Sequence, residues 1–326
     1  MNIDVLCLRP EADFQRVGAL PPEPLKVVYR TASDPDVADL MKQARALVIP
    51  AVGPKLPATL FENASVKFVQ VTGAGLDRLD LPFLKQRGIG VANVPGGSNE
   101  AVAEYAVTAA TVLLRGFLWA DAEIRKGNYR EFRARMITDN LQGLDGLTVG
   151  IIGFGVTGVA VASAFQKRGC LIFYHDPAPR DPRTAEAVGA KPCTLEDLFQ
   201  LADVVTLHVP LLPQTTGMIG RRELAMMKPG TILIQGSRGG VVDEAALAEA
   251  LQSGQLGGAA VDVYSTEPPA ADNPLFALKG EAAHRILFTP HIAGVTRQST
   301  AYLFRAAWRN IERVFSGKES PRDVVT

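Results

Sequence analysis

TVGIIGFGVTG, residues 148–158, carries an apolar run into three glycines, Gly153, Gly155 and Gly158, spaced G-x-G-x-x-G. That spacing alone is weak, because any tight turn between a strand and a helix uses glycine. Its surroundings make it strong. The run before it has strand character, VTGVAVASAFQKRG (156–169) reads as a helix closed by Gly169, and LIFYHD (171–176) reads as the next strand, ending on Asp176. A strand, a glycine turn, a helix and an acid ending the following strand make up the dinucleotide-binding βαβ unit. Gly153 permits the tight turn, Gly155 lets the backbone approach a pyrophosphate, and Gly158 lets the helix pack close to the strand. The helix N-terminus offers unpaired N–H groups and a positive dipole to the phosphates. Asp176 is suited to accept hydrogen bonds from the adenosine ribose and to repel a 2′-phosphate, which favours NAD over NADP. Arg180 and Arg183, close in sequence, soften that preference.

The alternation continues in both directions. Downstream, DVVTLHVP (203–210), GTILIQG (230–236) and LGGAAVDVY (256–264) read as buried strands, and DEAALAEALQSG (243–254) as the helix between the last two. TLEDLFQLA (194–202) opens on a threonine with an acid three residues later, a capping-box signature. Upstream, IDVLCL (3–8), LKVVYR (25–30), ALVIP (46–50) and VKFVQV (66–71) alternate with helical or loop segments, as in a parallel α/β unit. PGGSNEAVAEYAVTAATVLL (95–114) has a glycine break, Ser98 as N-cap and apolar residues at helical spacing; it is expected to bridge two domains. The tail from Thr289 begins in a loop and becomes a long amphipathic helix. The predicted layout is a discontinuous domain, residues 1–97 and 289–326, enclosing a nucleotide-binding domain of residues 98–288.

A length of 326 residues is ample for two domains. Lys+Arg and Asp+Glu balance at 34 each, so no bulk field draws the chain to nucleic acid or to an anionic membrane. The three cysteines, Cys7, Cys170 and Cys193, are scattered without metal-ligand spacing, and their low, odd number fits a reducing compartment. The first residues, MNIDVLCLRP, have an acid and too short an apolar run for a secretory signal, and AVTAATVLL (106–114) is far short of a membrane span. The expectation is a soluble, cytoplasmic protein with no metal.

Three residues in loops after apparent strands carry chemistry: Arg238 in GSRGGVVDEAAL, Glu267 in AVDVYSTEPP and His291 in FTPHIAG. In parallel α/β sheets such strand ends converge on the ligand crevice. Taken singly, each has an ordinary explanation: a solvated loop charge, a turn terminator, a hinge histidine. Together, beside a dinucleotide fingerprint, they match the needs of hydride transfer to a 2-oxo acid. Arg238 can grip the carboxylate and carbonyl oxygens with its rigid fork. His291 can deliver the proton near neutral pH, and Glu267 on the other ring nitrogen would orient it and favour the imidazolium.

With these segments in view, the chain resembles the D-isomer-specific 2-hydroxyacid dehydrogenase family over nearly its whole length. The resemblance rests on VTGAGLDRLD, VPGGSNEAVAEYAV, GLTVGIIGFGVTG, HVPLLPQTTGMI, GSRGGVVDEAAL, AVDVYSTEP and TPHIAG, in the family's order. It implies two Rossmann-like parallel-sheet domains, a flavodoxin-like substrate domain and a doubly wound NAD-binding domain, with an interdomain cleft. A homodimer, a small 2-oxo or 2-hydroxy acid as substrate and the Arg238–Glu267–His291 trio are also implied. By the same matching, Val156 and Thr157 lie against the pyrophosphate, and Val209 and Pro210 flank the dinucleotide. Gly236, Ser237 and Arg238 approach the nicotinamide side with His291 and Gly294, and Asp262 contacts the nicotinamide amide region. Substrate is held by backbone near Ala74 and Gly75, within a wall of Ala51, Val52, Ala74 and Leu76 that suits a neutral side chain. Departures from the pattern are Val156 and Pro50, where arginine is common, Gln235 in place of asparagine, and Arg78 where asparagine often stands. The loss of arginine at Pro50 speaks against a phosphorylated substrate, and Glu267 against the formate-oxidising branch. An NAD-responsive binding protein, like the family's corepressor branch, is the second reading.

Overall fold

The apolar runs of the N-terminal part form strands β1 (Ile3–Cys7), β2 (Val27–Tyr29), β3 (Ala44–Ile49), β4 (Phe68–Val71) and β5 (Gly90–Ala92), all parallel, in the order β2-β1-β3-β4-β5. The structure, a computed structural model, describes residues 3–326. Most of this sheet's strand residues are buried, which is why, apart from Asp4, Arg45 and Gln70, they run apolar rather than alternating. Leu6, Leu47, Ile49 and Val69 point into one core with Met41, Phe61 and Leu84. Val5, Cys7, Val48 and Phe68 point into the other, roofed by Phe304, Trp308 and Ile311 of the helix Arg297–Ser316. That helix is amphipathic and capped by Thr296, whose hydroxyl accepts from the N–H of Ser299 at 3.1 Å. The last residues return to the sheet edge, where Val324 bridges Ala92 antiparallel.

The second series gives β6 (Thr148–Ile152), β7 (Leu171–His175), β8 (Ala190–Pro192), β9 (Val204–Leu207), β10 (Thr231–Gln235), β11 (Leu256–Val261) and β12 (Ile286–Phe288). They form one parallel sheet in the order β12-β11-β10-β9-β6-β7-β8. The chain starts in the middle, winds out through β7 and β8, then returns to build the other side from β9. The switch point between β6 and β9 is where such sheets open a ligand crevice. The helix Asn99–Leu114 buries Ala103, Ala106 and Ala110 in the same core as Val161 and Phe165 of the helix Val156–Gln166. Small residues there allow two helices to lie close. No single described helix is long and apolar enough to cross a membrane.

The two sheets belong to two units: residues through Ser98 with Val295–Thr326, and Asn99–Gly294. Residues 289–294, which the sequence assigned to the first unit, pack with the second. The reason is local: the N–H of Thr289 bonds to Val261 and that of His291 to Asp262, so the chain stays tied to the end of β11 before it leaves.

Candidate active site

The fingerprint turn separates its glycines by cause. Gly153 has φ +93°, and a Cβ there would lie 2.4 Å from the carbonyl oxygen of His208. A Cβ on Gly158 would lie 2.1 Å from the carbonyl oxygen of Gly153. Packing within the chain explains both. Gly155 is different: a Cβ there meets no atom within 4 Å. It is the N-cap of the helix Val156–Gln166, with extended backbone and no side-chain cap. A bare helix N-terminus facing open space, with glycine where nothing in the chain requires it, is the cradle a pyrophosphate fills. Val156 beside it is 63% exposed, and the Thr157 hydroxyl donates to Asn99 at 2.9 Å. Val209 lies against the turn, its side chain 3.0 Å from where a Cβ on Gly153 would be, and Pro210 is exposed next to it.

Asp176, at the end of β7, accepts from the N–H of Phe154 at 2.7 Å and that of Ala178 at 2.9 Å. Its Oδ2 also accepts from the Arg180 guanidinium at 2.6 Å. Burial by itself would raise this carboxyl; the Arg180 hydrogen bond and the two N–H groups outweigh it and hold it below the usual range. The residues present fit a dinucleotide with its adenosine ribose at Asp176, while the arginine occupies one oxygen the ribose would use.

At the other side of the switch point, the ends of β10, β11 and β12 come together. His291 Nδ1 lies 2.8 Å from Glu267 Oε2, and the second Glu267 oxygen accepts from the N–H of Tyr264 at 3.1 Å. The pair is partly accessible, with side chains 24% and 29% exposed. With Nδ1 engaged, Nε2 makes no hydrogen bond among the described residues. The loop of Arg238 abuts the segments that carry these two. A Cβ on Gly239 would fall 1.7 Å from the carbonyl oxygen of Tyr264, and one on Gly236 would touch Ala293 at 3.7 Å. Gln235 shapes that loop from beneath: its Nε2 donates to the Arg238 carbonyl at 2.8 Å, and its Oε1 accepts from the Ser237 hydroxyl at 2.8 Å. Arg238 Nη1 donates to the Ser237 carbonyl at 2.7 Å.

Asp262 is 1% exposed and its carboxylate is taken up internally. It accepts from the Thr289 hydroxyl at 2.6 Å, from the N–H of Ile292 at 2.8 Å and from that of Ala293 at 2.8 Å. These contacts pin the loop that carries His291 and runs on to Gly294. His291 sits at φ +56°, a conformation costing a non-glycine residue about 1–2 kcal/mol. Each charge-assisted hydrogen bond to Asp262 is worth about 1.5–3 kcal/mol, so the loop holds the strain comfortably.

In the first unit, β3 and β4 end in the loops of Ala51–Val52 and Ala74–Leu76. The N–H groups of Ala74 and Gly75 donate to no backbone or side chain among the described residues, and Asn93 Nδ2 fixes the turn by donating to the Ala74 carbonyl at 2.7 Å. Arg78, only 4% exposed, donates to the carbonyls of Pro54 at 2.9 Å and Pro50 at 3.0 Å. Its guanidinium passes 3.2 Å from where a Cβ on Gly53 would stand, and Gly53 has φ +133°. The substitution noted in the sequence thus clamps the loop of Ala51 and Val52. Pattern reading does not find that role, because the partners are carbonyls and leave no trace in residue type.

Residues 107–293 match the family model described as D-isomer specific 2-hydroxyacid dehydrogenase, NAD binding domain. Glyoxylate reductase of Thermococcus litoralis is 32% identical over 308 residues, 92% of this chain and 91% of that protein. The chain belongs to the D-isomer-specific 2-hydroxyacid dehydrogenase family. D-3-phosphoglycerate dehydrogenase of Archaeoglobus fulgidus is 36% identical over 246 residues, 75% of this chain but 45% of that protein, so this dehydrogenase-family chain spans about half the length of such relatives. Among solved structures, D-lactate dehydrogenase from Aquifex aeolicus, complexed with NAD and lactic acid, aligns with a TM-score of 0.80 at 27% identity, covering 96% of this chain and 95% of that one. The family places an NAD-binding domain where the glycine turn and Asp176 stand.

Proposed function

We propose that this family member interconverts a small 2-oxo acid and the corresponding D-2-hydroxy acid. The observation that carries the reading is the His291–Glu267 pair at 2.8 Å, set against the Arg238 loop at the ends of three neighbouring strands. NAD, when bound, carries the hydride. Arg238 grips the substrate carboxylate and polarises the carbonyl oxygen with its planar fork. His291 Nε2 gives its proton to that oxygen in reduction and takes it back in oxidation, while Glu267 on Nδ1 stabilises the protonated ring and holds its orientation. The unengaged N–H groups of Ala74 and Gly75 support the carboxylate-binding role that the family resemblance assigns to their turn.

Ala51, Val52 and Leu76 favour a neutral, small side chain on the substrate. Glyoxylate and pyruvate are the first acids to try. The exposed apolar residues Phe117, Leu118 and Ile124 on one helix, with Tyr129 and Ile137 on the next, support a homodimer built on that arm. The binding-protein alternative is not favoured, since the relatives above are named as reductases and dehydrogenases. The test is NADH absorbance with a panel of 2-oxo acids. Turnover of a small neutral 2-oxo acid is expected; tight NADH binding with no turnover on any member would overturn the reading.

A further inference from the structure

We propose that the first unit holds a second ligand site, sharing no residue with the one above, that binds a small molecule bearing a phosphoryl group. A pocket of about 290 Å³ is lined by Tyr302, Arg309, Asn310, Arg313, Arg322 and Asp323, with Val94 and Pro95 completing an apolar wall. Arg309 and Arg313 stand one turn apart on the helix Arg297–Ser316, where like charges repel. Arg322 is then brought in from the tail by a built contact. Asn310, 3% exposed, donates from Nδ2 to the Arg322 carbonyl at 2.9 Å and to Gln70 at 3.0 Å. Its Oδ1 accepts from the Arg322 N–H at 3.0 Å and from Arg313 Nη1 at 3.1 Å. One buried amide therefore sets both the backbone of one arginine and the guanidinium of another. The tail beyond is tied down as well, the N–H of Val325 donating to the Val91 carbonyl at 2.8 Å.

The chain answers this cluster only partly. Glu319 pairs with Arg313 at 3.0 Å from an exposed position, and Asp323 lines the pocket; two acids face three arginines. Neither Arg309 nor Arg322 forms an ion pair among the described residues. Planar guanidinium groups converging on a concavity match the oxygens of a phosphate, which they bind bidentately. The volume lies at the lower end of the roughly 300–1,000 Å³ usual for small-molecule sites, too small for a dinucleotide. Tyr302, Val94 and Pro95 offer the carbon skeleton of such a molecule an apolar side.

The test is titration calorimetry of the full chain with inorganic pyrophosphate, in saturating NADH so that the helix-terminus phosphate site is filled. At physiological ionic strength the expected result is saturable binding with Kd below about 1 mM. The double variant Arg309→Ala, Arg322→Ala, both exposed positions, should bind at least about tenfold more weakly while its NADH affinity is unchanged. Absence of saturable heat, wild-type affinity in the double variant, or equally tight binding of citrate would each overturn the proposal.

Discussion

Asp176 is a carboxylate that the fold itself holds in place at the candidate ribose position. Two backbone N–H groups fix it at the end of β7, and Arg180 takes the same oxygen as Phe154. Its place was legible from the sequence, an acid closing the strand after a glycine turn. The arginine's grip was not, because the three intervening loop residues decide whether the side chain folds back. While Arg180 is in place it cancels much of the charge that would reject a 2′-phosphate. Arg180→Ala should therefore raise the preference for NADH over NADPH, as a ratio of kcat/KM, by about tenfold, the equivalent of 1.4 kcal/mol. An unchanged ratio would show that Arg180 has no part in cofactor choice.

Among the described residues, Arg78 and Asp262 are the charged side chains that are buried, and each holds a loop. Asp262 gathers donors from 289–293; Arg78 offers donors to the carbonyls of Pro50 and Pro54. Arg78→Met would leave those carbonyls short of partners, at about 1–3 kcal/mol each where water cannot replace them. The expected outcome is a substrate KM raised at least about tenfold with the NADH dissociation constant unchanged; parallel losses in both would instead mean general unfolding. The long strands and helices were readable because period and apolar content agreed. β5 and β8 were not, since each is three residues long without a period and β8 includes Pro192. At Thr194 the expected capping box forms only in part. The threonine accepts from the Asp197 N–H at 3.0 Å, but aspartate is a methylene shorter than glutamate and its carboxylate accepts from the Thr194 hydroxyl at 2.7 Å.

Across the whole molecule the stability carries a mark from His208, which follows β9 beside the glycine turn. Burial pushes it down to about 4, from an unfolded value near 6.5. Below about 6.5 the unfolded chain takes up a proton that the folded one refuses, so stability is full above that pH and falls as pH drops toward 4. The loss is at most about 3 kcal/mol, less if the partly accessible ring is hydrated. Urea midpoints should fall between about pH 7.5 and 5, and His208→Gln should flatten that slope; an equal slope in the variant would assign the effect elsewhere. The two-sheet plan itself was plain from strand order and glycine placement, whereas the point of return at Val295 depended on hydrogen bonds that only the folded loop reveals.

The catalytic assignment turns on one imidazole. Turnover of the best 2-oxo acid by His291→Ala, measured beside its NADH dissociation constant, tests it most directly. The account predicts a kcat lower by about two to four orders of magnitude with NADH binding retained, the usual contribution of a general acid. Near-normal turnover in that variant would contradict it.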